Sequence, residues 1–259
     1  MPRPGSLINS YTDNISGMAT VKPATLNAAI AWLFIIGSGL FALGSVPAYL
    51  NAVGETADSV TYFVGSLFFT AASFAQLVQA QSPAMTGVDA ESQHRSAPVR
   101  FTARLPHDRN WLAAITQFPG TLFFNISTGA TLVHNATAKQ EDRRIWRPDF
   151  YGSTLFLVAS VFAILAVGRF LSFQPRSYAW RIAWLNMIGS ILFMASALAS
   201  FVLSSTGELI NSQVSIVGTL LGAACFLVGA ILMFPAWRHA IPAVRPMRPE
   251  DPHHQRSNQ

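Results

Sequence analysis

Six long apolar stretches alternate with short polar ones along this chain: Leu26–Leu50, Val60–Ala80, Trp111–Val133, Phe150–Gly168, Ile182–Leu203 and Val214–Trp237. Each is 19 to 25 residues long, and about 20 residues at 1.5 Å rise per residue cross a hydrocarbon core about 30 Å thick. A backbone in lipid must satisfy its own amides, and these runs lack the period-two alternation of barrel strands, so the pattern predicts helices. The 17 Lys and Arg and the 12 Asp and Glu all fall outside the six stretches. The expected fold is therefore all-α and integral to a membrane, with six transmembrane helices.

Composition agrees, since 51% of residues are apolar and 11% charged against about 25% charged in soluble proteins. The first stretch exceeds the apolar core of a cleaved signal peptide and follows some 25 residues of mixed character, so it reads as an anchor that stays. Positive flanks tend to remain cytoplasmic. With both ends inside, the inner segments hold 13 of the 17 Lys and Arg, and the outer ones hold Lys139, Arg143, Arg144 and Arg147. Trp32, Trp111, Trp180, Trp184 and Trp237 lie toward the inner ends, as an interfacial belt requires. The pI of 9.9 then reflects topology, and no nucleic-acid partner is needed to explain it. Cys225, the one cysteine, excludes an intrachain disulfide or thiol pair and reads as a small buried hydrophobe.

A nine-residue pattern recurs once in each stretch: Gly, a small residue, any, a bulky one, Phe, two of any kind, then two small residues. It begins at Gly37, Gly65, Gly120, Gly152, Gly189 and Gly222, and its aromatic positions are Phe41, Phe69, Phe124, Phe156, Phe193 and Phe226. Gly44 and Gly229 occupy the first small position near its end. At about 100° per residue, the Gly, the Phe four later and the small residue seven later share a face. Small residues that allow close backbone approach favour association of membrane helices, so this stripe reads as helix packing. The recurrence points to three tandem, parallel copies of one helical hairpin, related about an axis along the membrane normal, in contrast to inverted-repeat transporters.

The predicted organisation is a disordered cytoplasmic tail over 1–25, hairpins over 26–80, 111–168 and 182–237, a cytoplasmic loop over 81–110 and a disordered basic tail over 238–259. The middle hairpin diverges and has a long basic outer loop, with Asp149 suited to cap the fourth helix. The run Gly37-Ser38-Gly39-Leu40-Phe41-Ala42-Leu43-Gly44-Ser45, followed by Tyr62-Phe63-Val64-Gly65-Ser66-Leu67-Phe68-Phe69, resembles the YrhK-like domain, a two-helix bacterial membrane hairpin of unknown function. The resemblance covers about Trp32–Gln76, and more loosely Trp184–Met233. It implies a bacterial plasma-membrane protein and brings no active site to transfer.

Chemistry is sparse. Proton relays, ion-coupled pumps and intramembrane metal sites need ionisable groups in the spans, and the six histidines, His253 and His254 in the tail included, lack ligand spacing. No phosphate loop, nucleophile elbow or catalytic carboxylate pair is visible, so the expectation is a protein that is not an enzyme and uses neither metal nor cofactor. Gln117, Thr121, Asn125, Thr128 and Thr131 lie at offsets of 0, 4, 8, 11 and 14 and form a polar stripe on the third stretch, which with Asn186 reads first as interhelical hydrogen bonding and second as a path for a neutral solute. Pro119 within it removes a backbone donor and is expected to kink the helix.

Two functions follow. The first is a structural or interaction bundle packed through small-residue grooves, with the lipid bilayer, a second copy or another membrane protein as partner, and anionic lipid attracted by Arg238, Arg245 and Arg248. The alternative is a channel or facilitator for a small neutral solute, lined by Gln117, Thr121, Asn125, Thr128, Thr131 and Asn186.

Overall fold

Pro23 lacks an amide donor and has φ preset for a first helical turn, and from it α1 runs over Pro23–Gly44. The computed structural model describes residues 19–82, 85, 94–133, 138–168, 173–202 and 209–240. After α1 come α2 (Pro47–Val53), α3 (Glu55–Ala80) and α4 (Arg109–Ala130). Helix α5 (Ala138–Glu141) continues through a π-helical turn, Asp142–Trp146, into α6 (Arg147–Val167), and α7 (Tyr178–Ala199) and α8 (Ser212–Ala240) follow among the described residues. Asp108 caps α4 by accepting from the amides of Asn110 and Trp111 at 2.8 and 3.2 Å.

Five helical segments are long and apolar enough to cross a membrane: Pro23–Gly44, Glu55–Ala80, Lys139–Val167, Tyr178–Ala199 and Ser212–Arg238. The protein is accordingly a multi-pass membrane protein. The third of the six stretches, now α4, falls short of this standard, because the same amides and hydroxyls that make its stripe lower its hydropathy. Its chain nonetheless runs helically through Pro119.

Other expectations shift. The stretch Leu26–Leu50 is broken: α1 stops at Gly44, Val46 is extended and Pro47 opens α2, because a residue before proline is driven out of the helical region. Asp149 is not a cap, since helical backbone already precedes it through the π turn. The cap reading saw only Trp146-Arg147-Pro148-Asp149 as a helix start, whereas Pro148 fits a first turn on Arg147. Two segments assigned to tail and loop meet: β1 (Thr20–Val21) pairs antiparallel with β2 (Ala97–Pro98). Val21, Leu26 and Ala97 pack there on the buried Val78, Met85 and Val99. Cys225 is half-buried. Arg245, Arg248, His253 and His254 lie outside the described residues.

The helices form a ring. Helix α1 packs on α3, α4 on α6 and α7 on α8, and between these pairs α3 meets α4, α6 meets α7 and α8 meets α1. Neighbours run antiparallel where contacts fix direction: Gly37 lies against Phe69, and Gly44 against Tyr62. The outer surface is apolar, with Trp32, Leu67, Ile126, Val158, Ile191 and Leu221 all exposed. Ser38, Ser66, Thr121, Ser153 and Ser190 are buried inside. This arrangement, apolar outside and small polar inside, is what a lipid solvent favours.

Candidate functional site

The aromatic positions of the nine-residue pattern all reach the centre of the ring, where Phe41, Phe69, Phe124, Phe156, Phe193 and Phe226 form one buried cluster. They make two stacked layers. Phe69, Phe156 and Phe226 are mutually in contact, with ring centroids 6.3, 6.1 and 5.8 Å apart. Phe193 meets Phe41 at 6.0 Å and Phe124 at 5.9 Å in the second layer. Edge-to-face pairs at 5.4, 5.2 and 5.2 Å join the layers within α1–α3, α4–α6 and α7–α8. Such geometry adds about 0.5–1.5 kcal/mol per pair beyond simple burial.

Glycines of the pattern make room for these rings. A methyl group at Gly37 would sit 3.1 Å from the carbonyl of Gly65, one at Gly152 3.1 Å from that of Gly120, and one at Gly189 3.1 Å from that of Gly222. At Gly65 and Gly120 it would meet Phe41 and Phe156 at 2.9 Å, and at Gly222 it would overlap Phe193. Gly44 faces Tyr62, and Gly229 faces Asn186. Gly39 has nothing within 4 Å. The stripe therefore packs within each pair of helices.

Contacts between pairs use the other small positions. Ser66 and Thr128 hydroxyls are 3.0 Å apart across α3 and α4, and Ser160 and Ser190 are 2.9 Å apart across α6 and α7. In both cases the residue after the pattern's Gly meets its last small residue. At the third junction these positions hold Ser38 and Ala230, and Ser38 bonds the carbonyl of Phe34 in its own helix at 2.7 Å.

The polar stripe of α4 is largely consumed by α3. Asn125 donates to Thr70 at 2.8 Å, Thr70 lies 3.1 Å from Asn125 Oδ1, and Gln117 donates to Gln76 Oε1 at 3.5 Å. Thr121 and Thr131 bond backbone carbonyls of their own helix, those of Phe118 and Thr128, at 2.6 and 2.7 Å. Asn186, on α7, is separate from this ladder. Reading the sequence missed the partners, although Ser66, Thr70, Ser73 and Gln76 form a helical-period stripe of their own on α3. It also missed the π turn, whose Ile145 carbonyl accepts from Ser127 at 2.9 Å and whose Trp146 donates to the Ala197 carbonyl at 2.8 Å.

Of the predicted path residues, Gln117 and Asn186 share a space. They line a cavity of about 480 Å³ that extends from Phe69, Phe156 and Phe226 to the end of the bundle bearing Asn27, Asn110 and Trp237. It is blind, because every lining residue lies on one side of the aromatic cluster. No family model matches the chain, and neither a curated protein nor a solved structure matches it.

Proposed function

We propose that this chain is a structural and interaction protein rather than an enzyme, a six-span bundle of three tandem hairpins with both ends cytoplasmic. The observation that carries this reading is the double layer of phenylalanines, which fills the centre of the ring where a solute path would have to run. Helix α4 serves as the sixth span despite its lower hydropathy. Its 22 residues reach about 33 Å at 1.5 Å per residue, its amides bond to α3, and its exposed Leu122 and Ile126 face outward. Kinship with YrhK-like hairpins is part of the same proposal and rests on the residues from Trp32 to Gln76. The transport reading has less support, since most of the α4 stripe is spent on helix contacts.

Flux in proteoliposomes tests it. Glycerol and urea should cross vesicles containing the protein no faster than protein-free vesicles of the same lipid; protein-dependent flux would sink the structural reading. Topology is tested separately, with a reporter after His254 expected to be cytoplasmic and one near Gly207 external, both positions lying outside the described residues. The opposite placement would remove the six-span assignment.

A further inference from the structure

The blind cavity has a chemistry that helix packing does not require. Its inner wall is aromatic, and around it stand six carboxamides: Asn27, Gln76, Gln79, Asn110, Gln117 and Asn186. None of the described residues lining it carries a charge. Gln76 and Gln117 meet across α3 and α4, and Gln117 and Asn186 hold matching positions on α4 and α7. Gln76, Gln117 and Asn186 each lie seven residues from the central phenylalanine of their helix, about 10 Å along its axis, and each belongs to a different pair in the ring.

If these amides served only to hold helices together, they would be expected to bond closely with one another. Asn27 and Gln79 do so, at 2.5 Å. Gln76 and Gln117 instead meet at 3.5 Å, at the limit of a hydrogen bond, and this contact uses one donor and one acceptor of two groups that each offer two donors and a carbonyl. Asn186 lines the cavity with its Oδ1 seated over Gly229, where a methyl group would lie 3.2 Å from it. Polar groups held in an apolar bundle cost free energy unless bonded. Here they surround a volume within the roughly 300–1,000 Å³ range of small-molecule sites.

We propose that this cavity binds an uncharged small molecule with an aromatic or otherwise apolar end seated on Phe69, Phe156 and Phe226. Its carbonyl or hydroxyl groups are held by Gln76, Gln117 and Asn186. A charged ligand would lose hydration with no counter-charge to replace it, and a purely aliphatic one would leave the three amides unbonded. The proposal is independent of solute flux, because a blind site binds without conducting.

Photolabelling tests it on the full chain in lipid nanodiscs, with 4-(hydroxymethyl)benzophenone as the probe. Peptides containing Phe34, Phe69 or Met233 should be labelled saturably, and Gln117→Leu and Asn186→Leu should each raise the half-saturating concentration about tenfold, as expected for loss of a bonded amide. Ala163→Phe fills the cavity from an apolar wall without removing an amide, and should abolish that labelling while the melting temperature is retained. Benzophenone-4-carboxylate, similar in shape but charged, should fail to compete. Labelling confined to outward positions such as Leu122 and Ile126, equal competition by the carboxylate, or unchanged half-saturation in both amide variants would overturn the site, even if Ala163→Phe did not fold.

Discussion

The contact between α7 and α8 and the contact between α3 and α4 are both antiparallel, yet they are held in different ways. In the first, Gly189 and Gly222 bring two backbones together and Phe193 and Phe226 fill the space above them. In the second, the helices are joined by a ladder of side chains, Ser66 to Thr128, Thr70 to Asn125 and Gln76 to Gln117. Lipid tails are as apolar as leucine, so neither contact gains much from the hydrophobic effect. The first relies mainly on dispersion at close range, with Ser196 bonding Thr219 and the Ser215 carbonyl at 2.7 Å toward one end, and its glycines tolerate no added volume. The second relies on hydrogen bonds, and the removal of any one is softened by the partners that remain.

The largest expected effect follows from adding volume to the tight contact. Gly222→Leu pushes a side chain into Phe193 and the Gly189 carbonyl, and should cost about 1–3 kcal/mol, near the upper end of overpacking. Its measure is the melting temperature in detergent. If Gly222→Leu melts with the parent protein, the glycine face does not set the helix separation.

Removing a rung should cost less. Asn125→Leu deletes the bond to Thr70, and interhelical hydrogen bonds in membranes average about 0.6 kcal/mol with a maximum near 1.7. A double-mutant cycle with Thr70→Val isolates that coupling. Zero coupling would mean the two side chains do not bond in the membrane, and coupling above the Gly222→Leu loss would reverse the ranking of the two interfaces.

The smallest effect sharpens the comparison from the other side. Gly39 belongs to the same helix as Gly37 and Gly44 but touches nothing, so Gly39→Ala should be neutral or stabilise by up to about 0.5–1 kcal/mol through lower backbone entropy in the unfolded chain. Gly37→Ala, 3.1 Å from both the Gly65 carbonyl and the Phe69 ring, should destabilise. Equal melting temperatures for the two variants would show that the wheel position of a glycine is irrelevant here.

Much of this was legible from the residues. Charge exclusion from the apolar stretches identified helices in a membrane, and helical periodicity placed Gly37, Phe41 and Gly44 on one face, because both signals depend only on spacing within a helix. The prolines near helix ends were not legible as a pattern of apolar residues: Pro23, three residues before the stretch that begins at Leu26, starts α1, and Pro47, inside a run that reads as continuous, divides it. The π turn at Asp142–Trp146 was not legible, because what favours it is distant in sequence: Ser127 on α4 and the Ala197 carbonyl on α7.

The polar stripe shows the same division. Spacing alone determined that Gln117, Thr121, Asn125, Thr128 and Thr131 share one side of a helix, since that is a property of 3.6 residues per turn. Whether that side would face water, a solute or another helix depended on which neighbour packed against it. Tertiary structure set Thr70 and Ser66 against Asn125 and Thr128, and left Gln117 and Asn186 at an open cavity. It also decided that the phenylalanines of six separate helices would meet in one cluster, because convergence at an axis follows from closing the ring and from no single helix within it.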